Sequence, residues 1–159
     1  MSALVISRLD YCNSLLASAT QGQIDRLQKV QNDAARAVMK RRRRHHVTPL
    51  LRELHWLPIT YRYRFKIATF VYKHFEGSLP SYLSESLDSR CYSKEVRSNS
   101  VKRLNPPRKA NLKTVGGRSF RQIAPVIWND LPIDLRAAKS LPEFKRNLKT
   151  LMFREHFGP

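Results

Sequence analysis

Residues 24–46 read IDRLQKVQNDAARAVMKRRRRHH. Turning each side chain about 100° from the last gathers Ile24, Leu27, Ala34, Ala35 and Val38 on one face, with Asp25, Lys29, Asp33, Arg36 and Lys40 opposite. The pattern predicts an amphipathic helix whose apolar side seeks a core. The chain then enters Arg41, Arg42, Arg43, Arg44, His45 and His46, six residues with no apolar side chain to bury. Cations near a helix C-terminus complement its dipole at about 0.3 to 1 kcal/mol each, and one or two suffice for that. Four arginines in a row repel one another, so the run is expected to meet phosphate or another polyanion. The expected arrangement is a helix anchored in a helical core that carries a cationic knot off its end.

The totals point the same way. With 159 residues, 42% of them hydrophobic, and only 5 Gly, the chain is long enough for one domain with a true core. Its 30 Lys and Arg against 12 Asp and Glu leave a net charge of +18, and such an excess destabilises any compact state by self-repulsion. Nucleic acid is the polyanion expected to relieve it. Cys12 and Cys91 lie far apart, outside any CxxC or Cys/His cluster, and read as two reduced thiols in an intracellular protein. No apolar run reaches the length of a membrane span, and the first residues lack the regions of a signal peptide. The basic run at Lys40 and the four arginines would also serve as a nuclear-localisation patch.

Taken in order, the chain predicts a mainly α, irregular multi-helix bundle with at most one short β-hairpin around residues 100–115. Four stretches compose it. Residues 1–46 form a helical hairpin ending in the basic run. Its first helix, 3–18, has Leu4, Val5, Leu9, Cys12, Leu15 and Leu16 at helical spacing, and that pattern is under way so near Met1 that the chain reads as a fragment of a longer one. Residues 47–87 hold the central helices: Thr48 as N-cap with Pro49 at the first helical position, then a longer helix from Ile59 to about Phe75. On that helix Tyr61, Phe65, Ala68, Val71, Tyr72 and Phe75 cluster, and only Arg62, Lys66, Thr69 and Lys73 form a polar strip. Arg64 falls inside the apolar arc and is expected to snorkel or to pair with Glu53 or Glu76. Gly77 and Ser78 then separate it from a short helix over residues 79–87.

Residues 88–115 read as a basic loop, with Arg103, Arg108 and Lys109 among its cations and a strand pair at 101–104 and 112–115. Residues 116–159 read as C-terminal helices: one through Phe120, Ile123, Ile127 and Leu131 with a kink at Pro125, and a last one opened by the capping box of Ser140 and Glu143. Trp128 is expected in the core. The pair Leu-Pro occurs at Leu57, Leu79, Leu131 and Leu141 without a common period, which is helix punctuation and not a repeat.

The chemistry of catalysis is not in the pattern. The acids are scattered without an Asp-Asp pair, and there is no phosphate-cradling glycine loop, HExxH or nucleophile elbow. His45, His46, His55, His74 and His156 come without an evident acid or nucleophile partner, and His55 beside Trp56 reads as a packed core histidine. The chain is therefore expected not to be an enzyme and to need no cofactor or metal. The residues that would touch phosphate are Lys40, Arg41, Arg42, Arg43, Arg44, Arg62, Lys66 and Lys73, joined by Arg103, Arg108 and Lys109 from the loop.

Several words of this sequence resemble, in order, the C-terminal region of reverse transcriptases from LINE-type retrotransposons, the group without long terminal repeats that includes jockey-like elements. They are SRLDYCNSLL (7–16), LQKVQNDAAR (27–36), TPLLRELHWLP (48–58), PSYL (80–83), LKT (112–114), GRSF (117–120), Ala124-Pro125, WNDLP (128–132) and SLPEFK (140–145). The resemblance covers nearly the whole chain. It implies the end of a polymerase thumb and the helical region behind it, whose work is to hold element RNA and the template-primer duplex. The catalytic aspartates and the endonuclease of that family lie upstream of this region, so the implied partners are RNA or DNA phosphate backbone and the upstream polymerase domain. The alternative is a relic or protein-interaction module that exposes the face once packed on the thumb.

Overall fold

The structure, a computed structural model, describes residues 2–87, 102–105 and 119–158. Along the chain run α1 (Ser2–Asp10), a 3-10 helix (Asn13–Ser18), α2 (Gln21–Val38), α3 (Val47–Glu53), α4 (Ile59–Phe75), α5 (Ser81–Ser84), α6 (Phe120–Asn129), α7 (Ile133–Arg136) and α8 (Leu141–Phe157). Among the described residues every regular element is helical and no strand occurs, so the chain is a mainly α multi-helix bundle. Of the expected strand pair, residues 102–105 carry no strand, and 112–115 lie outside the described residues.

α4 is the helix the others gather on, because its apolar arc is too wide to leave in water. Ile67, Ala68, Val71 and Tyr72 are buried against α6 and α8, where Trp128, Phe144 and Leu148 are equally enclosed. Tyr72 stacks on Phe144 at 4.5 Å between ring centres, and Trp128 lies 5.7 Å from the same ring. The two polar handles in this aromatic nest are satisfied: Tyr72 donates its hydroxyl to the Ala138 carbonyl at 2.9 Å, and Trp128 Nε1–H donates to the Lys102 carbonyl at 2.9 Å. Burial, with the charges of Glu76 and Glu143 adding to it, pushes the Tyr72 phenol up to about 12. Thr69 does not belong to the polar strip; it is buried and returns its hydroxyl to the Phe65 carbonyl, which lets it sit among apolar neighbours.

A second, smaller apolar cluster joins α2 to α3 through Ala35, Leu50, Leu51 and Trp56, with Ile6 of α1 and Phe157 of α8 packed on it. Buried amides bind the two clusters together. Gln31 is fully enclosed and donates to the Leu57 carbonyl at 2.9 Å, while Gln28 accepts from Ile59 N–H at 2.9 Å and donates to Gln31. These bonds satisfy the Leu57 carbonyl and the Ile59 N–H, while the Pro58 carbonyl between them takes the first helical bond, from Arg62 N–H at 3.1 Å.

The Leu-Pro pairs work as punctuation in one consistent way. Leu57, Leu79 and Leu131 are buried, and Pro58, Pro80 and Pro132 stand just before α4, α5 and α7 with φ between −56° and −53° and ψ between 142° and 157°. The leucine anchors, and the proline ring fixes the extended geometry from which the next helix starts. Pro142 instead lies one residue inside α8, after Ser140 has capped it by accepting from Glu143 N–H at 3.4 Å. Pro125 sits within α6, where its missing N–H leaves the Arg121 carbonyl without its usual intrahelical donor.

Four expectations are corrected. The single helix over 3–18 is broken: Cys12 takes φ +50°, and the chain continues as 3-10 helix, with Leu4, Cys12 and Leu15 exposed. Just after the break Asn13 turns inward and gives its side-chain amide to the Asp10 carboxylate at 3.3 Å, tying the 3-10 helix back to the end of α1. α3 starts at Val47 with His46 before it, so Pro49 occupies the third helical position and not the first; that still lies in the turn whose N–H groups are unpaired. The helix over 79–87 shrinks to α5. α7, with the buried Arg136 on it, was not expected at all.

Candidate nucleic-acid interface

The C-terminus of α2 decides how the arginine run is presented. Lys40 N–H bonds the Ala37 carbonyl at 3.3 Å and Arg41 N–H bonds the Arg36 carbonyl at 2.8 Å, the paired 5→2 and 6→1 bonds of a Schellman turn, with Lys40 at φ +50°. This left-handed residue ends the helix and sends Arg41, Arg42, Arg43 and Arg44 away from it, all four exposed, with exposed His45 and His46 after them. A turn from His45 N–H to the Arg42 carbonyl folds the run back, and Arg36, which pairs with Asp33 at 3.0 Å, also reaches the His45 carbonyl at 3.4 Å. The run is thus a tethered loop between two buried helix anchors, Ala35 and Leu50.

The same turn recurs twice. At the end of α3, His55 N–H bonds Arg52 O at 3.1 Å and Trp56 N–H bonds Leu51 O at 2.9 Å, with His55 at φ +55°. At the end of α4 the residue in this position is Gly77, at φ +69°. A side chain in the left-handed region costs roughly 1 to 2 kcal/mol that glycine avoids. Lys40 and His55 carry that strain, and residues held against their backbone preference concentrate at functional sites. The expected core histidine is therefore corrected. His55 is exposed; its Nδ1–H donates to the Glu53 carbonyl at 3.2 Å and its ring stacks on Phe153 at 5.7 Å and 25°.

His55 lines a cleft of about 380 Å³ together with Leu57, Phe65, Arg62, Lys66 and Lys149, closed on the side of the 3-10 helix by Asp10 and Asn13. Arg62 is largely enclosed, its side chain 13% exposed, and it grips both oxygens of Asp10, Nε–H to Oδ1 at 2.8 Å and Nη2–H to Oδ2. It ties α4 to α1 and is not a free cation. Lys66 is exposed, its ammonium 5.4 Å from the Phe70 ring centre; Lys149 is exposed on α8. Among the described residues the cleft thus keeps two uncompensated lysines after Asp10, its one carboxylate there, has been matched. Along the chain α3, whose seven residues rise about 10 Å, lies between the arginine run and His55.

The remaining sequence candidates scatter. Lys73 is half-buried two turns beyond Lys66 on α4, and Arg103 is exposed on residues 102–105. Arg108 and Lys109 lie outside the described residues. Arg64 pairs with Asp130 at 3.1 Å and with neither Glu53 nor Glu76. Arg26, Lys29, Arg121, Arg146 and Arg154 are also exposed on other helices, so positive charge is not confined to one face; its longest unbroken run among the described residues is 40–44. The ion pairs found among the described residues involve Arg36, Arg62 and Arg64, none of them from the run.

Two features escaped the sequence reading. Arg136 is 3% exposed and reaches the Lys102 carbonyl at 3.4 Å, and burial, with the charge of Arg103 second, holds its guanidinium below its ordinary range. It supports the 102–105 segment, which Asn129 clasps by bonding both the N–H (3.2 Å) and the carbonyl (2.8 Å) of Leu104. The cleft also went unseen, because its walls come from three stretches far apart in sequence, 10–13, 55–66 and Lys149. Among the described residues no group of three or more His, Cys, Asp and Glu is placed to hold a metal ion, and no helix is long and apolar enough to cross a membrane. Comparison with protein-family models, with curated proteins and with solved structures gave no match.

Proposed function

We propose that this chain binds RNA or DNA through its phosphates, as the C-terminal, non-catalytic part of a LINE-type reverse transcriptase. The observation that carries the reading is the run at 41–44: four successive exposed arginines, outside every ion pair found among the described residues, on a loop held at its two ends by the buried Ala35 and Leu50. Such a loop adds little to the core, and a phosphate backbone gives it a partner of matching charge. Binding then proceeds by charge pairing and counterion release, with little sequence preference. The chain's own residues supply grip and position, and the polymerase chemistry belongs to segments upstream in that family.

Filter binding of a hairpin RNA and a DNA duplex at two salt concentrations tests the reading. Four phosphate contacts imply an affinity loss of roughly a hundredfold between about 50 and about 200 mM salt. Replacing Arg41, Arg42, Arg43 and Arg44 by Ser should flatten that slope by about three to four and leave helical circular dichroism unchanged. An affinity indifferent to salt refutes the mechanism; loss of helical signal in the variant would make the run structural. One observation favours the rival reading, a face for the polymerase thumb: Leu4, Tyr11 and Leu15 are exposed near the N-terminus, Tyr11 at 81%. Self-association of the chain without measurable RNA binding would choose that reading instead.

A further inference from the structure

We propose that the cleft between the 3-10 helix, α4 and α8 seats a single unpaired nucleotide, its base against Phe65 and Leu57 and its phosphate between Lys66 and Lys149. This rests on the nucleic-acid reading above and names which part of that ligand the cleft takes.

Four observations converge on it. The volume, about 380 Å³, is that of a small-ligand site and far too little for a duplex. The walls are of two kinds, since a phosphate alone would need no apolar floor, while Leu57 and Phe65 supply one beside the lysines. The charge is positive because Asp10, the one carboxylate among the described residues lining the cleft, is already held by Nε and Nη2 of Arg62. Finally, Asn13 is 5% exposed and its Oδ1 has no hydrogen-bond partner, whereas its Nδ2–H donates to Asp10 and thereby fixes the orientation of the amide. A buried acceptor without a donor is rare in a folded protein, and Asn13 belongs to the cleft wall, so a slight parting of that wall offers the oxygen to an N–H of a base. His55 completes the rim: its Nδ1–H is engaged by the Glu53 carbonyl, so its Nε2 is left for the ligand, and the ring is braced by Phe153.

The test is an NMR titration of the full chain with adenosine and uridine 5′-monophosphates, with adenosine, and with inorganic phosphate. The monophosphates should move the Asn13 side-chain amide and the His55 ring signals together, saturating near millimolar concentration and binding about tenfold more tightly than phosphate or adenosine. Lys149→Ser and Lys66→Ser, both at exposed positions, should each weaken that binding about threefold at unchanged melting temperature. Equal saturation by inorganic phosphate alone reduces the cleft to an anion site and overturns the nucleotide seat, as does silence of the Asn13 and His55 signals. Replacing the four arginines by Ser should leave the mononucleotide titration unchanged. Steep, salt-dependent RNA binding with still cleft signals therefore sinks the seat and spares the function. Mononucleotide binding without RNA binding does the reverse.

Discussion

Lys40, His55 and Gly77 occupy one backbone position, the left-handed residue that closes a helix, and only the third is the residue that position prefers. The two exceptions are the residue that opens the arginine run and the residue that rims the cleft. Selection for stability alone would favour glycine at both, so retaining a side chain there fits a use for the ammonium and the imidazole. Lys40→Gly should accordingly raise stability by about 1 kcal/mol, the relief of left-handed strain less the greater freedom glycine has when unfolded, or about 2 to 4 °C in melting temperature. The same variant should bind RNA a few-fold more weakly, because one phosphate contact is gone. Thermal melts and filter binding on one preparation read both effects. A destabilised Lys40→Gly protein would mean that the lysine side chain supports the fold and that the strain argument is wrong.

Helices were legible wherever an apolar stripe was wide, and illegible wherever a polar side chain did the packing. α2, α4 and α8 could be read from periodicity because their buried faces are Ile24 and Ala35, Ile67 and Val71, Phe144 and Leu148. The core position of Trp128 followed from the same pattern. The break at Cys12 could not, and the contacts beside it, Asn13 to Asp10 and Asp10 to Arg62 fifty-two residues away, exist only in the fold. α7 was too short to show a period, and the cleft exists only once three distant stretches meet. Of the site, the arginine run was plain from sequence, whereas Arg62 looked free and is paired. The joint between α3 and α4 belongs to the same unreadable class, for it is held by amides: Gln31 to the Leu57 carbonyl and Ile59 N–H to Gln28. Gln31→Leu keeps the volume and adds apolar surface, yet it strands a buried carbonyl and an amide partner. It should cost about 1 to 3 kcal/mol in urea unfolding at an unchanged m-value. A leucine variant as stable as the parent would show that the joint is held by the surrounding leucines and not by the amides.

The whole molecule carries +18 charges on a core whose two clusters are spanned by one helix, α8, through Phe144 and Leu148 at one end and Phe157 at the other. Self-repulsion of that size makes stability sensitive to anything that adds protons. Burial lowers His74 and His156 below the 6.5 of a free imidazole, so both resist protonation when folded and accept it when unfolded. His74 Nδ1 lies 2.6 Å from Ser84 Oγ, and as the neutral ring it accepts that hydroxyl; His156 lies 5.4 Å from the Tyr61 ring centre. As pH falls below 6.5 the unfolded chain therefore binds more protons than the folded one. The stabilisation due to these two groups is complete above 6.5 and is lost as pH falls through their lowered folded values. Melting temperature should drop between about pH 7.5 and about pH 5.5, and the drop should shrink when His74→Gln and His156→Gln are combined, whatever the double variant loses at neutral pH. Both measurements belong at a single high ionic strength, where the general repulsion of the surface is screened and the two half-buried rings are screened less. A melting temperature that falls equally in parent and double variant would place the acid sensitivity in the surface charge and remove these imidazoles from its cause.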